Sequence, residues 1–229
     1  MWSISDMKAR GKAALKANYW ASVLTAFLLR VFVLGASVSV SSNTVAHQDG
    51  SSSLQNITPE QAVAILSVIF ATMGVIVVVG LLIKIFFTNP LGVGCYRFFR
   101  KNVDGQPADL GTIGEGFSGF GRIFVTLLLR DIFLALWTML LIIPGIIKSY
   151  SYRMVPYILK DNPELSATEV ITRSRDMMRG NKGRAFLMDL SFIGWFLLSL
   201  VTLCLSEVFW AGPYYESTKA ALYLELKNN

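Results

Sequence analysis

Histidine and cysteine are nearly missing from these 229 residues, and their scarcity removes whole classes of chemistry. The one histidine, His47, lies in a polar stretch with no Cys or His beside it and reads as a solvated loop residue. Cys95 and Cys204 have no metal-ligand spacing and make no disulfide framework. Ser, His and Asp do not converge, no Gly-rich phosphate loop follows a strand, and residues 111–121 lack the Lys-Ser/Thr ending that a P-loop requires. No metal, cofactor or catalytic residue is therefore expected, and the chain reads as a non-enzyme. Charge is scarce too: 16% of residues are Asp, Glu, Lys or Arg against 53% hydrophobic, far from soluble averages.

What is present is a set of apolar runs of roughly 20 residues, about the length that spans a bilayer as helix. The chain is organised around residues 122–159: an apolar run to Ile143, a break at Pro144-Gly145, then a second arm carrying Lys148, Tyr150, Tyr152, Arg153 and Pro156-Tyr157. Two further hairpins flank it. The first takes residues 20–40 and 61–83, with a kink or break expected at Pro90. The third takes residues 185–202 and 207–226. The fold expected is an all-α membrane protein of six transmembrane helices arranged as three helical hairpins, joined by amphipathic interfacial helices. Residues 145–159 are short and polar, so that arm either spans or re-enters. The outer loop, residues 41–59, has no Lys or Arg, whereas basic residues gather at the other ends of the runs. The positive-inside rule then puts both termini in the cytoplasm. Residues 1–16 have no apolar core of the kind a cleaved signal needs, so the first run is expected to stay as an anchor.

Residues 3–18 set Ile4, Met7, Gly11, Leu15 and Asn18 on one helical face and Lys8, Lys12 and Lys16 opposite. Residues 166–179 open on a capping box, Ser166 with Glu169, and stop at Gly180, with Ala167, Val170, Ile171, Ser174, Met177 and Met178 as the apolar stripe. Both are expected to lie in the membrane interface. The interfacial basic set is Lys8, Lys12, Lys16, Arg173, Arg175, Arg179, Lys182 and Arg184; the net charge of +6 is therefore read as membrane topology and anionic lipid, with no nucleic acid partner. Hairpin exits share a pattern: Pro90, Tyr96, Lys101-Asn102; Pro156-Tyr157, Lys160-Asp161-Asn162; Pro213, Tyr223, Lys227-Asn228. Either the chain is one membrane domain of three repeat units, residues 3–102, 108–162 and 165–227, or every membrane entrance selects basic and aromatic residues alike.

At 1.5 Å per residue, Arg30, Arg130, Asp131, Arg153 and Glu216 fall near mid-depth, where a lone charge costs about 2.5–3.5 kcal/mol on insertion scales. They are the candidate polar centre, with Tyr150, Tyr152, Tyr214 and Tyr215 as candidate hydroxyl lining. Adjacent Arg130 and Asp131 point about 100° apart and are expected to pair with other helices. The centre either holds an anionic headgroup or carboxylate, or fixes helix register.

The residues from Pro144-Gly145 through Ser149-Tyr150-Ser151-Tyr152, Asp161-Asn162-Pro163-Glu164, Met178-Arg179-Gly180-Asn181-Lys182 and Asp189-Leu190-Ser191-Phe192-Ile193-Gly194-Trp195 to Pro213-Tyr214-Tyr215 resemble a bacterial membrane family called domain of unknown function 975. A fainter likeness extends to the membrane domain of some glycerophosphodiester phosphodiesterases, whose catalytic domain this chain lacks. The resemblance implies a multi-pass bacterial membrane protein with no agreed activity. Two functions are expected to compete: a non-enzymatic scaffold or accessory protein binding lipid or a membrane protein partner, and a small-solute or lipid transporter using the mid-membrane polar site.

Overall fold

The computed structural model describes residues 2–34, 59–202 and 204–228. His47 and the Ser-rich loop lie outside them. The described residues are helical with no strand. α1 (Ile4–Ala17) begins where the Ser3 hydroxyl accepts from the Asp6 amide at 3.0 Å, with Asp6 in the first turn and Lys16 in the last, each complementing the helix dipole. α2 (Tyr19–Leu28) widens into a π-helical turn, Leu29–Leu34. α3 (Pro59–Ile83), a wide turn at Lys84–Thr88 and α4 (Asn89–Val103) form one helical path. After the short α5 (Gly111–Gly114) come α6 (Phe120–Leu140), α7 (Ile142–Ser151) and α8 (Val155–Asp161). α9 (Ala167–Met177), α10 (Lys182–Leu190), α11 (Ile193–Val201) and α12 (Gly212–Asn228) complete the chain.

Among the described residues three helical segments are long and apolar enough to cross a membrane: Val63–Val103, Phe120–Leu140 and Lys182–Val201. The other three expected spans differ. The first shows as the shorter apolar helix Tyr19–Val31, and residues 35–40 of the expected span lie outside the described residues. The fourth is split into α7 and α8 by a turn at Tyr152–Met154. The sixth, α12, is not a bare apolar rod. It is the hub, with twelve of its seventeen residues buried against α1, α2 and α4.

Of two proline expectations, the break at Pro144-Gly145 is displaced, and at Pro90 the helix is locally widened rather than broken. No break occurs at Pro90, which occupies the second position of α4. Proline removes one amide donor and crowds the carbonyl four residues back; the wide turn at Lys84–Thr88 reroutes the ladder just before it, and the helix continues. The hairpin reverses at Leu141, whose backbone is extended (φ −159°, ψ 137°), rather than at Pro144-Gly145. Pro144 then sits in the first turn of α7, where its missing N–H would have had no partner anyway. Gly145 is still required: a Cβ there would lie 2.6 Å from Thr138 Oγ1.

α1 and α9 keep the faces read from sequence, but protein covers those faces. Met7, Gly11, Ala14 and Leu15 are buried, and Gly11 crosses α12 so closely that a Cβ would fall 2.7 Å from the Thr218 amide nitrogen. Val170, Ile171 and Ser174 of α9 turn into α6, α7 and α8, where Ser174 Oγ donates to the Ser151 carbonyl at 2.9 Å. An amphipathic period is the same for a lipid-bound and a protein-packed helix; Gly11 and Ser174 in the apolar stripe mark the second case. The α9 capping box is present as expected. Ser166→Ala should cost about 1 kcal/mol, measured as a fall in the unfolding midpoint of purified protein.

The result is a closed base with apolar helices standing out of it. Met7, Phe98, Phe99, Met154, Ile158, Val170, Met178 and Leu222 share one core. Leaving it, Phe70, Met139, Leu140, Ile143, Leu200 and Val201 are all more than two-thirds exposed. One tyrosine from each hairpin exit meets at the centre: Tyr96 and Tyr223 flank Tyr157 at ring distances of 5.1 and 4.9 Å.

Candidate functional site

The five residues of the candidate polar centre do not converge on one centre; they divide among four charge clusters, each completed by a residue outside those five. Arg30 pairs with Glu207 at the far end of the bundle, beside Cys204. Arg130 pairs with its own neighbour: its Nε and Nη2 donate to Asp131 Oδ1 at 2.9 and 2.6 Å. That corrects half of the expectation that the two would pair with other helices rather than each other, since the three-methylene stem of arginine lets its guanidinium fold back over the 100° step. The second Asp131 oxygen takes Lys84 from the neighbouring helix at 2.9 Å.

Arg153 makes the most complete cluster. The α7–α8 turn points its guanidinium at α10, where Nη1 and Nη2 donate to the two Asp189 oxygens at 2.9 and 2.7 Å. This planar two-bond pairing is the strongest geometry available to a carboxylate. Tyr150 donates to Asp189 Oδ2 at 2.8 Å; Tyr215 donates to Oδ1 at 3.1 Å and accepts from Arg153 at 2.8 Å. One turn along α12, Lys219 donates to both oxygens of Glu216, which is 3% exposed. Its ammonium also lies 5.1 Å from the ring centres of Tyr96 and Tyr215. Arg153, Asp189, Tyr150, Tyr215, Lys219 and Ser149 line a cleft of about 480 Å³.

Two of the four expected hydroxyls line this cleft. Tyr152 is buried in the main core instead, and Tyr214 packs its ring 5.0 Å from Phe192. Asp189 and Lys219 were the missed partners. Lys219 follows Glu216 at the i, i+3 spacing that puts both on one helix face, and Asp189 sits in the motif that carried the family resemblance. Chemically the cluster is two cations against two carboxylates, with both tyrosine hydroxyls committed to Asp189. It clamps α7, α10 and α12 together. Among the described residues no group of three or more His, Cys, Asp or Glu gathers where a metal could bind.

The interfacial basic residues divide in two. Lys12, Lys16, Arg173, Arg175 and Arg179 are exposed. Lys8 instead donates to the Ser191 carbonyl at 3.1 Å, and Arg184 lies over the Trp2 ring at 5.2 Å; Lys182 is half-buried at the start of α10. Lys8 and Arg184 fasten the N-terminal segment to α10 and its end, work the sequence reading had given to lipid.

A second charged knot closes the base. Asp161, its side chain 4% exposed, faces Lys227 at 2.7 Å, Arg100 at 3.2 Å and the Tyr223 hydroxyl at 3.0 Å. Beside it Glu115 pairs with Arg97 and with Lys101 at 2.6 Å. Burial pushes the Glu115 carboxyl up, but Lys101 and Arg97 outweigh it and hold the group below its ordinary 4.5. The folded state therefore binds its proton less tightly than the unfolded state does. The stability this contributes is complete above pH 4.5 and is lost as the pH falls through the lowered folded value. Glu115→Gln should flatten the acid side of a stability-against-pH curve while leaving its slope near neutrality unchanged.

No curated protein and no solved structure matches the chain. Residues 131–229, which include the Arg153–Asp189 clamp, Asp161 and all of α12, match the sequence model of the family described as Protein of unknown function (DUF975), the family that the motifs from Pro144 onward resemble.

Proposed function

We propose that this chain is a multi-pass protein of a bacterial cell membrane, both termini cytoplasmic, that acts without catalysis as a scaffold or accessory protein for lipid or a membrane partner. The observation that carries the reading is α3. No residue of the most apolar stretch of Val63–Val103 is buried against the rest of the chain, and Val63, Val68, Phe70 and Val75 are each more than 60% exposed. A helix apolar all round belongs inside something. A photo-crosslinking amino acid at Phe70 in cells should give a discrete protein adduct. Lipid adducts alone, with solute flux in liposomes that depends on Arg130, would replace the scaffold by the transporter.

Against transport stands the pairing of the candidate cations: Arg30, Arg130 and Arg153 each face a carboxylate, and Glu216 faces Lys219. The six-span topology has its own test. A cysteine at Ser51 should react with a membrane-impermeant thiol reagent in intact cells, and silence there would remove the outward loop. The three-unit reading draws support from the Tyr96, Tyr157 and Tyr223 stack, one ring from each exit; hairpins that could not be superimposed in an experimental structure would end it.

A further inference from the structure

The base carries a cleft of about 490 Å³ that the clamps above do not fill, lined by Arg97, Glu115, Ser118, Arg122, Leu159 and Lys160. Three cations converge on it from three elements. Gly119, at a φ of 72° that favours glycine, turns the chain into α6 and brings Arg122 to its first turn. Arg122 Nη1 donates to the Asn162 and Leu165 carbonyls at 2.9 and 3.1 Å, and Nη2 donates to Leu159. Lys160 donates to the Glu115 and Ser118 carbonyls. Arg97 reaches Glu115 through Nε and the Lys160 carbonyl through Nη1 at 3.3 Å.

The carbonyls hold Arg122 and Lys160 in place without neutralising them, and Arg97 is held by Glu115 through one edge of its guanidinium. Carbonyls carry no formal charge, and the two carboxylates within reach are shared with other cations: Glu115 with Lys101, and Asp161, 3.9 Å from Arg97 Nη1, with Arg100 and Lys227. Burial and the charges of Arg97 and Arg122 lower the Lys160 pKa, which marks cations crowded together. Arg97 Nη2 and Arg122 Nε have no partner among the described residues, and both belong to planar forks suited to an oxyanion. The cleft also lies where the apolar run of α6 begins, the level at which the headgroup of a surrounding lipid would stand.

We propose that the Arg97–Arg122–Lys160 cleft binds a phosphoryl group, carried either by an anionic phospholipid headgroup or by a free phosphate ester. This deepens the scaffold reading by giving it a ligand site, and the two can fail separately. A partner crosslinked at Phe70 in a protein unable to hold phosphate would leave the scaffold without this site. Phosphate binding with no partner would do the reverse.

The test is mass spectrometry of the intact protein released from mild detergent, loaded with dioleoyl phosphatidic acid or with dioleoylglycerol, which has the same tails and no phosphate. The parent should keep one phosphatidic acid per chain and shed the diacylglycerol. Lys160→Gln, which keeps a donor for the two carbonyls, and Arg97→Gln should each lower that retention about tenfold or more, the scale of one lost charged hydrogen bond. Glycerol 3-phosphate as competitor separates the sources: release of the lipid at millimolar concentration assigns the site to free phosphate esters, and no release assigns it to lipid. Equal retention of the two lipids by the parent overturns the proposal, and this arm needs no variant to fold. Unchanged retention in a folded Lys160→Gln protein overturns it as well.

Discussion

Replacing Asp161 with alanine should destabilise the protein by about 3–5 kcal/mol, the usual result of removing one partner from a buried ion pair. The carboxylate is 4% exposed and is met by Lys227, Arg100 and the Tyr223 hydroxyl, so its loss leaves cations of α4 and α12 facing each other with nothing between them. Asp161→Asn keeps the volume and an acceptor for Tyr223 and should fall between parent and alanine. Denaturant or thermal unfolding in a fixed detergent measures both. A loss under about 1 kcal/mol for the alanine variant would mean that Lys227 and Arg100 do not depend on Asp161, since exposed pairs give losses of that size. Position matters here as much as charge. Asp161 closes α8, and through it the turn that aims Arg153 is tied to the helix that carries Glu216 and Lys219.

Gly94→Ala should be nearly as damaging although it adds one methyl group. Its Cβ would come to 2.0 Å from the Ile113 carbonyl oxygen, and a Cβ on Gly116 would come to 2.0 Å from that of Pro90. Both obstacles are backbone, so no side chain can swing away. α4 and the segment around α5 would have to separate, and overpacking of this kind costs about 1–3 kcal/mol or more. Gly183→Ala is the control, because a Cβ there meets nothing within 4 Å; it should be neutral or add up to about 1 kcal/mol through helix propensity. If both alanines behave alike in unfolding midpoint and in recovery of monodisperse protein, close approach at Gly94 is not what holds α5 to α4.

The sequence was most legible where one local rule decides the outcome. The Ser166 and Glu169 capping box, the α6 run and the apolar faces of α1 and α9 follow from spacing alone. What covers a face does not, because lipid and protein impose the same period; α1 was therefore assigned to the interface although α12 covers it. At Pro90 an irregularity was legible but not its form: the ladder widens at Lys84–Thr88, in the turn before the proline, and the helix does not break. The charged residues were legible as a cost but not as pairs. Arg153, Arg30 and Glu216 were found by depth, yet Asp189, Glu207 and Lys219 are chosen by how helices cross, and only a three-dimensional arrangement supplies that. Arg130 with Asp131 fails differently: a rule for helix faces overlooked the reach of a long side chain.

The crossing of α1 and α12 has a consequence for the order in which the protein can be assembled. Arg10 and Glu225 are 215 residues apart in sequence and 3.1 Å apart in space. A ribosome releases α1 before, and α12 only after, the apolar runs that lie between them. Throughout that interval Met7, Gly11 and Leu15 lack the surface they finally rest on, and a newly made chain must keep this face occupied by bilayer or chaperone until α12 arrives. The face read from sequence as lipid-bound is thus suited to lipid first and to protein afterwards.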